Sequence, residues 1–170
     1  MTTASLFPAD AGATFGGPGD IYRYHLWRRW SLAPKTCLFV MLNPSTATDV
    51  IDDPTIRRCR GFAQRERCGR LEVCNIFALR STDPAALYTT PKAEGDPENL
   101  ERILDAAEEA DIVVCAWGSH GKHRARGAFV KRAFEECGIK SFTLGMTKTG
   151  EPGHPLYIRA DAPMEVFTCP

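Results

Sequence analysis

This sequence predicts a three-layer α/β/α sandwich around a mainly parallel central sheet, and three observations lead there. Continuous apolar runs of strand length occur at residues 37–42 and 112–117, and 71–77 is a third strand-like run, apolar apart from Glu72 and Asn75. Runs of that kind suit strands buried on both faces, as parallel strands are. Segments of helical period stand between them, and strand alternating with helix is the pattern of a parallel sheet covered by helices. With 170 residues, 44% of them hydrophobic, the chain has the size of one globular domain with a substantial core.

Taken in order, residues 1–20 are rich in Gly, Ala, Thr and Pro without periodicity and read as a flexible arm, leaving 21–170 as a single domain. Residues 21–30 alternate aromatic or aliphatic with polar side chains, the pattern of an edge strand preceding the main sheet. Residues 37–42 form the first core strand. Pro54 starts a helix with Asp53 as its cap and Ile56, Cys59, Phe62 and Ala63 at helical spacing. A second core strand follows at 71–77, then an acidic amphipathic helix over 97–110 with Leu100, Ile103, Leu104 and Ala107 inward. Residues 112–117 give the third core strand, 125–137 a helix ended by Gly138, and 141–144 a short fourth strand. The segment from 150 onward, rich in proline, reads mostly as loop.

No stretch approaches the ~18 apolar residues of a membrane helix, and no secretory signal is visible, so a cytoplasmic protein is expected. The seven cysteines are scattered without a CxxC pair. Cys37, Cys74 and Cys115 sit inside apolar strands, where a reduced cysteine acts as a small core residue. An iron–sulfur site drawing on Cys59 and Cys68 is the minor alternative, disfavoured by spacing. The net charge is zero, but the charges are segregated. Arg57, Arg58, Arg60, Arg65, Arg67 and Arg70 stand against Glu66 alone, Lys122, Arg124, Arg126, Lys131 and Arg132 form a second basic run, and 94–111 is acidic. One reading is a basic face for a polyanion, with Arg57, Arg58, Lys122 and Arg124 on a nucleic-acid backbone. The other is solvated helix faces that cancel over the molecule.

Three apolar runs stop abruptly at small and polar residues. They are Phe-Val-Met-Leu-Asn-Pro-Ser-Thr-Ala at 39–47, Val-Cys-Asn-Ile-Phe-Ala-Leu-Arg-Ser-Thr-Asp-Pro at 73–84, and Val-Cys-Ala-Trp-Gly-Ser-His-Gly-Lys-His-Arg at 114–124. In open α/β sheets the carboxyl edge of the strands is where ligands bind. One candidate site therefore collects Asn43, Pro44, Ser45, Asn75, Phe77, Gly118, Ser119 and His120. Each has a plain structural alternative. Asn43-Pro44-Ser45 can be only a capping turn, and Asn75 a buried amide satisfied by backbone. The amides around Gly118 and Gly121 suit an anion-binding nest. His120 and His123 with Cys115 make a poorly spaced metal set, so no metal and no cofactor are expected. Ser45 and Ser119 lack the G-x-S-x-G elbow of a hydrolase nucleophile.

The blocks Leu42-Asn43-Pro44-Ser45, Asn75, Trp117-Gly118-Ser119-His120 and His154-Pro155 stand in the order found in the uracil-DNA glycosylase superfamily, which the chain resembles distantly. Over residues 22–166 it resembles more closely a bacterial and phage family known only as a domain of unknown function. That likeness rests on Leu-Asn-Pro-Ser-Thr-Ala, Asp-Asp-Pro-Thr-Ile-Arg-Arg, Ala-Trp-Gly-x-His-Gly and His-Pro-Leu-Tyr. The first resemblance implies a glycosylase-like fold and hydrolysis of the N-glycosidic bond of uracil or a modified base in DNA. It also implies catalytic roles for Asn43, at the position that orients the attacking water, and for His154, which would donate to a base carbonyl as charge develops. Asn75 would read a pyrimidine edge through both amide atoms, Pro44 would fix the turn, and Phe77 or an aromatic of 22–30 would stack on the base. The chain departs from that pattern in lacking an acidic activator at the first block and the long wedge loop of the tail. Asp52 and Asp53 supply an acid only if their loop folds back. The expected partner is DNA or a nucleotide, with no membrane and no obligate protein partner. The competing expectation is a non-catalytic nucleotide or single-strand binder of the same fold.

Overall fold

In the computed structural model, which describes residues 10–168, the strands are β1 (Ala11–Gly16), β2 (Tyr22–Arg29), β3 (Thr36–Met41), β4 (Arg70–Asn75), β5 (Ile112–Cys115), β6 (Phe142–Thr143) and β7 (Glu165–Val166). The helices are α1 (Pro54–Arg65), the single turn α2 (Ala86–Thr89), α3 (Pro97–Glu109) and α4 (Arg126–Glu136). One seven-stranded sheet runs in the order β1-β2-β4-β3-β5-β6-β7. The sheet is mixed, which corrects the expectation of a mainly parallel one. β4, β3, β5 and β6 form a parallel centre; β2 pairs antiparallel with it on one side and β7 on the other, and β1 pairs antiparallel with β2.

β3 shows why its sequence is continuously apolar. Leu38 and Val40 enter one core, with Ile103 and Ala107 of α3 and Val130 and Phe134 of α4. Cys37, Phe39 and Met41 enter the other, with Ile56, Cys59 and Phe62 of α1. Successive side chains of a strand point to opposite faces, so a strand covered on both sides has no polar position to alternate with. α1 begins as its sequence predicts, with Asp53 Oδ1 accepting from the Ile56 amide at 2.9 Å and Pro54 in the first turn. Gly138, in the left-handed region at φ 70°, follows α4. Cys37, Cys74 and Cys115 are free and fully buried core residues.

Two expectations change at the amino-terminal side. Residues 11–16, placed in a flexible arm by composition, form the outer strand β1; residues 1–9 lie outside the described residues. β2 is therefore not an edge, since β1 and β4 pair with it on either side. Its Arg23 and Arg28 are buried rather than solvated. Arg28 donates from Nε to Asp52 at 2.7 Å and from its two Nη atoms to the carbonyls of Thr48, Asp49 and Ile51, so it holds residues 48–52 in a fixed fold.

Trp117, just past β5, is fully buried and donates from Nε1 to Glu151 at 2.7 Å. The indole lies against two glycines. A Cβ on Gly121 would stand 2.0 Å from Trp117 Cδ1, and one on Gly127 2.6 Å from Nε1. Replacing Gly121 by alanine is expected to cost about 1–3 kcal/mol of stability through forced displacement of the ring. Chemical denaturation followed by tryptophan fluorescence checks this.

No helix among the described residues is long and apolar enough to cross a membrane.

Candidate functional site

At the carboxyl ends of the parallel strands a cavity of about 630 Å³ opens. Its wall brings together Asn43, Ser45, Asn75, Gly118, Ser119, His120 and His154, residues drawn from three strand ends and the carboxyl-terminal segment. Asn43 follows β3. Its Nδ2 faces three carbonyls, those of Pro44 at 3.1 Å, Leu79 at 3.4 Å and Ser81 at 2.9 Å. Turning the amide over would set oxygen against three oxygens, so the network fixes Nδ2 in that direction and leaves Oδ1 without a partner among the described residues.

Asn75 ends β4 and is 1% exposed. Its Oδ1 accepts from Arg23 Nη2 at 3.4 Å, which leaves Nδ2 as the free end. The sequence-based expectation that both amide atoms read a ligand is narrowed accordingly to a donor. His154 precedes a single 3₁₀ turn at Pro155–Tyr157, and its Nδ1 accepts from the Leu156 amide at 3.3 Å. A ring nitrogen that accepts carries no proton, so the neutral ring bears its hydrogen on Nε2. Burial pushes the His154 pKa below its usual value, and the Asp53 carboxylate opposes that shift only in part. The site thus offers one fixed acceptor, Asn43 Oδ1, and two donors, Asn75 Nδ2 and His154 Nε2.

The other residues singled out from sequence fall elsewhere. Pro44 is buried beneath the wall, where its carbonyl accepts from the Ser81 amide at 2.9 Å. Phe77 is fully buried in the core and stacks on His123 at 5.7 Å, outside the cavity. The Gly118 and Gly121 amides donate to the carbonyls of Pro152 and Gly118, so neither of these two amides is free for an anion. Arg58 donates to the carbonyls of Pro155 and Ile158, Arg57 to that of Asp52, and Arg124 to Glu94 and the Thr90 carbonyl. Lys122 is exposed. Three of the four groups placed on a nucleic-acid backbone by charge pattern therefore hold this protein's own loops; Arg58 in particular ties the turn after His154 to α1.

Two residues of the wall were read differently in the sequence. Arg23, 2% exposed, donates to the Ala47 carbonyl at 3.1 Å, and its Nε has no partner among the described residues. Desolvation pulls its pKa down to about 10, with Asp53 acting in the opposite direction. A strand of alternating polarity gives no sign that one of its arginines turns inward. Asp53 was legible as a helix cap and is one, but it also lines the cavity. Met146, Leu156 and Tyr157 give the mouth an apolar, exposed rim. Among the described residues no three His, Cys, Asp or Glu side chains gather in a metal-holding group.

Neither a curated protein nor a solved structure matches the chain. A family model described as "Protein of unknown function (DUF1643)" matches residues 23–156, a span that begins at Arg23 of the cavity wall and takes in Asn43, Asp53, Asn75 and His154. Because that match covers most of the sequence, the chain belongs to the DUF1643 family.

Proposed function

We propose that this protein hydrolyses the N-glycosidic bond of uracil or a modified base in DNA, in a glycosylase-like α/β/α fold, with the base held in the cavity at the carboxyl edge of the sheet. The observation that carries the reading is the convergence of Asn43, Asn75 and His154, far apart in sequence, on one wall. The donors Asn75 Nδ2 and His154 Nε2 suit a heterocycle edge with two acceptors, which leaves Asn43 Oδ1 for a water. Uracil, with its two ring carbonyls, meets that requirement.

The chemistry follows from what bond cleavage demands. As the C1′–N bond breaks, its electron pair moves onto the base and negative charge builds on a carbonyl oxygen. A neutral imidazole donating from Nε2 stabilises that oxygen more in the transition state than in the ground state, which is what lowers the barrier. Asn43 Oδ1 orients the attacking water. The rim of Leu156 and Tyr157, the latter 86% exposed, supplies apolar surface against an unstacked base. With Arg58 and Arg124 engaged by the protein's own carbonyls and Glu94, the arrangement favours a base presented from a single strand or already extruded over forcible invasion of a duplex.

The test is abasic-site detection across single- and double-stranded oligonucleotides carrying uracil and modified bases. Base release is expected from at least one, falling about 10²-fold or more in His154→Ala. No release from any substrate would overturn the assignment, and salt-sensitive binding without product would point instead to the non-catalytic binder.

A further inference from the structure

We infer that Asp53 is a catalytic residue of this cavity, the carboxylate that takes a proton from the attacking water. The inference rests on the glycosidic reading above and adds to it the base that Asn43 is not. An amide oxygen can orient water but accepts a proton poorly, and the amide of Asn43 is already committed to three carbonyls. Some other group must receive the proton.

Asp53 is the one carboxylate among the described residues of the wall. Its Oδ1 is held by the Ile56 amide at 2.9 Å; Oδ2 has no partner among the described residues. The chain reaches this position because residues 48–52 fold back on themselves. The Thr48 amide donates to the Ile51 carbonyl at 2.9 Å, the Ile51 amide to Thr48 Oγ1 at 3.1 Å, and Arg28 binds three carbonyls of the same loop. A base set on a rigid cap at the start of a 12-residue helix is well placed to act without reorganisation. Two other members of the wall respond to its charge: Asp53 acts on both Arg23 and His154, in each case toward the charged form. Arg23 makes no ion pair among the described residues, and so supplies a buried cation on the same wall as the carboxylate.

The step balances without a co-reactant. The water oxygen forms the bond to C1′ while the C1′–N bond breaks and its electron pair leaves with the base. The water proton passes to Asp53 Oδ2, and the departing base, hydrogen-bonded at its carbonyl by His154 Nε2, is protonated afterwards from solvent.

The ordinary alternative is that Asp53 only caps α1, and the chemistry of capping separates the two roles. Asn and Ser cap helices about as well as Asp, yet neither accepts a proton as a carboxylate does. The experiment uses the full chain and the oligonucleotide from which the wild type releases base. Single-turnover base release, binding of the same sequence carrying a non-hydrolysable 2′-fluoro nucleotide, and urea unfolding are measured for Asp53→Asn and Asp53→Ser. The expected result is a fall in the single-turnover rate of about 10²-fold or more in both variants, with binding and unfolding midpoint unchanged. Wild-type turnover in either variant overturns the role of Asp53 and leaves the glycosidic reading standing. Absence of base release by the wild-type protein overturns both. Weakened binding in proportion to the lost rate also overturns the inference, since it would make Asp53 a binding group.

Discussion

Arg28→Met is expected to lower folding stability by about 3–5 kcal/mol. The methionine fills similar space and keeps the apolar stem, so the loss isolates the guanidinium. That group reaches six acceptors: Asp52, and the carbonyls of Gly12, Trp27, Thr48, Asp49 and Ile51. Removing it leaves the Asp52 carboxylate, itself largely buried, without its cation and leaves several inward-facing carbonyls without donors. Arg28→Lys should recover only part of the loss, because a compact ammonium cannot fork toward six acceptors. Urea unfolding reads both variants, and a shifted midpoint at unchanged slope marks a true stability change. Loss of less than about 1 kcal/mol would mean that water replaces the guanidinium and that residues 48–52 hold their fold unaided.

Arg28 also marks a limit of what is legible in the sequence. The parallel centre of the sheet was legible because β3 and β5 are apolar on both faces, with β4 interrupted by Glu72, and α1 because Asp53-Pro54 is a helix start with a mechanism. β1 was not legible. Ala-Gly-Ala-Thr-Phe-Gly has neither alternation nor bulk, and its fit depends on its partner strand. Gly12 leaves room for the Trp27 ring, where a Cβ would stand 2.2 Å away, and Gly16 does the same for Tyr24 at 2.5 Å. Absence of a side chain is the packing device here, and composition cannot tell it from a flexible arm.

The arginines were ambiguous for a different reason. A basic run looks the same whether its guanidiniums meet solvent, phosphate or the protein's own carbonyls. Arg65 is engaged much as Arg28 and Arg58 are, donating to the carbonyls of Ala160 and Ala162 at 3.0 and 2.6 Å. Loops that lack regular hydrogen bonding have many carbonyls to satisfy, and a forked donor satisfies several at once. The residues at the strand ends were easier to find. An abrupt change from apolar to polar at the carboxyl end of a parallel strand has one geometrical meaning, so Asn43, Asn75 and the segment from Gly118 to His120 could be placed together from the sequence. What the sequence could not give is the direction of each amide, which depends on Ser81, Leu79 and Arg23, residues with no sequence relation to it.

The direction of the Asn43 amide leads to a result opposite to the one that likeness to acid-bearing glycosylases would suggest. Asn43→Asp places a potential water activator at the end of β3, yet it is expected to lower both stability and turnover. Nδ2 of Asn43 stands within 3.4 Å of three carbonyl oxygens. A carboxylate oxygen there has no proton to give, so the Leu79 and Ser81 carbonyls lose their donor and meet negative charge instead. Donor loss with partly buried acceptors left behind costs about 2–4 kcal/mol, before any repulsion is counted. The variant can relieve the clash by holding a proton, in which state it is no base, or by pushing residues 79–81 outward, which moves Ser81 and Thr82 of the cavity wall. Either way the base release proposed above is expected to fall, and an unfolding curve recorded beside the activity shows which route is taken. A variant that is as stable as the wild type and faster would locate water activation at the end of β3. Asp53 would then be left as a cap, so the same measurement decides between the two positions for the base.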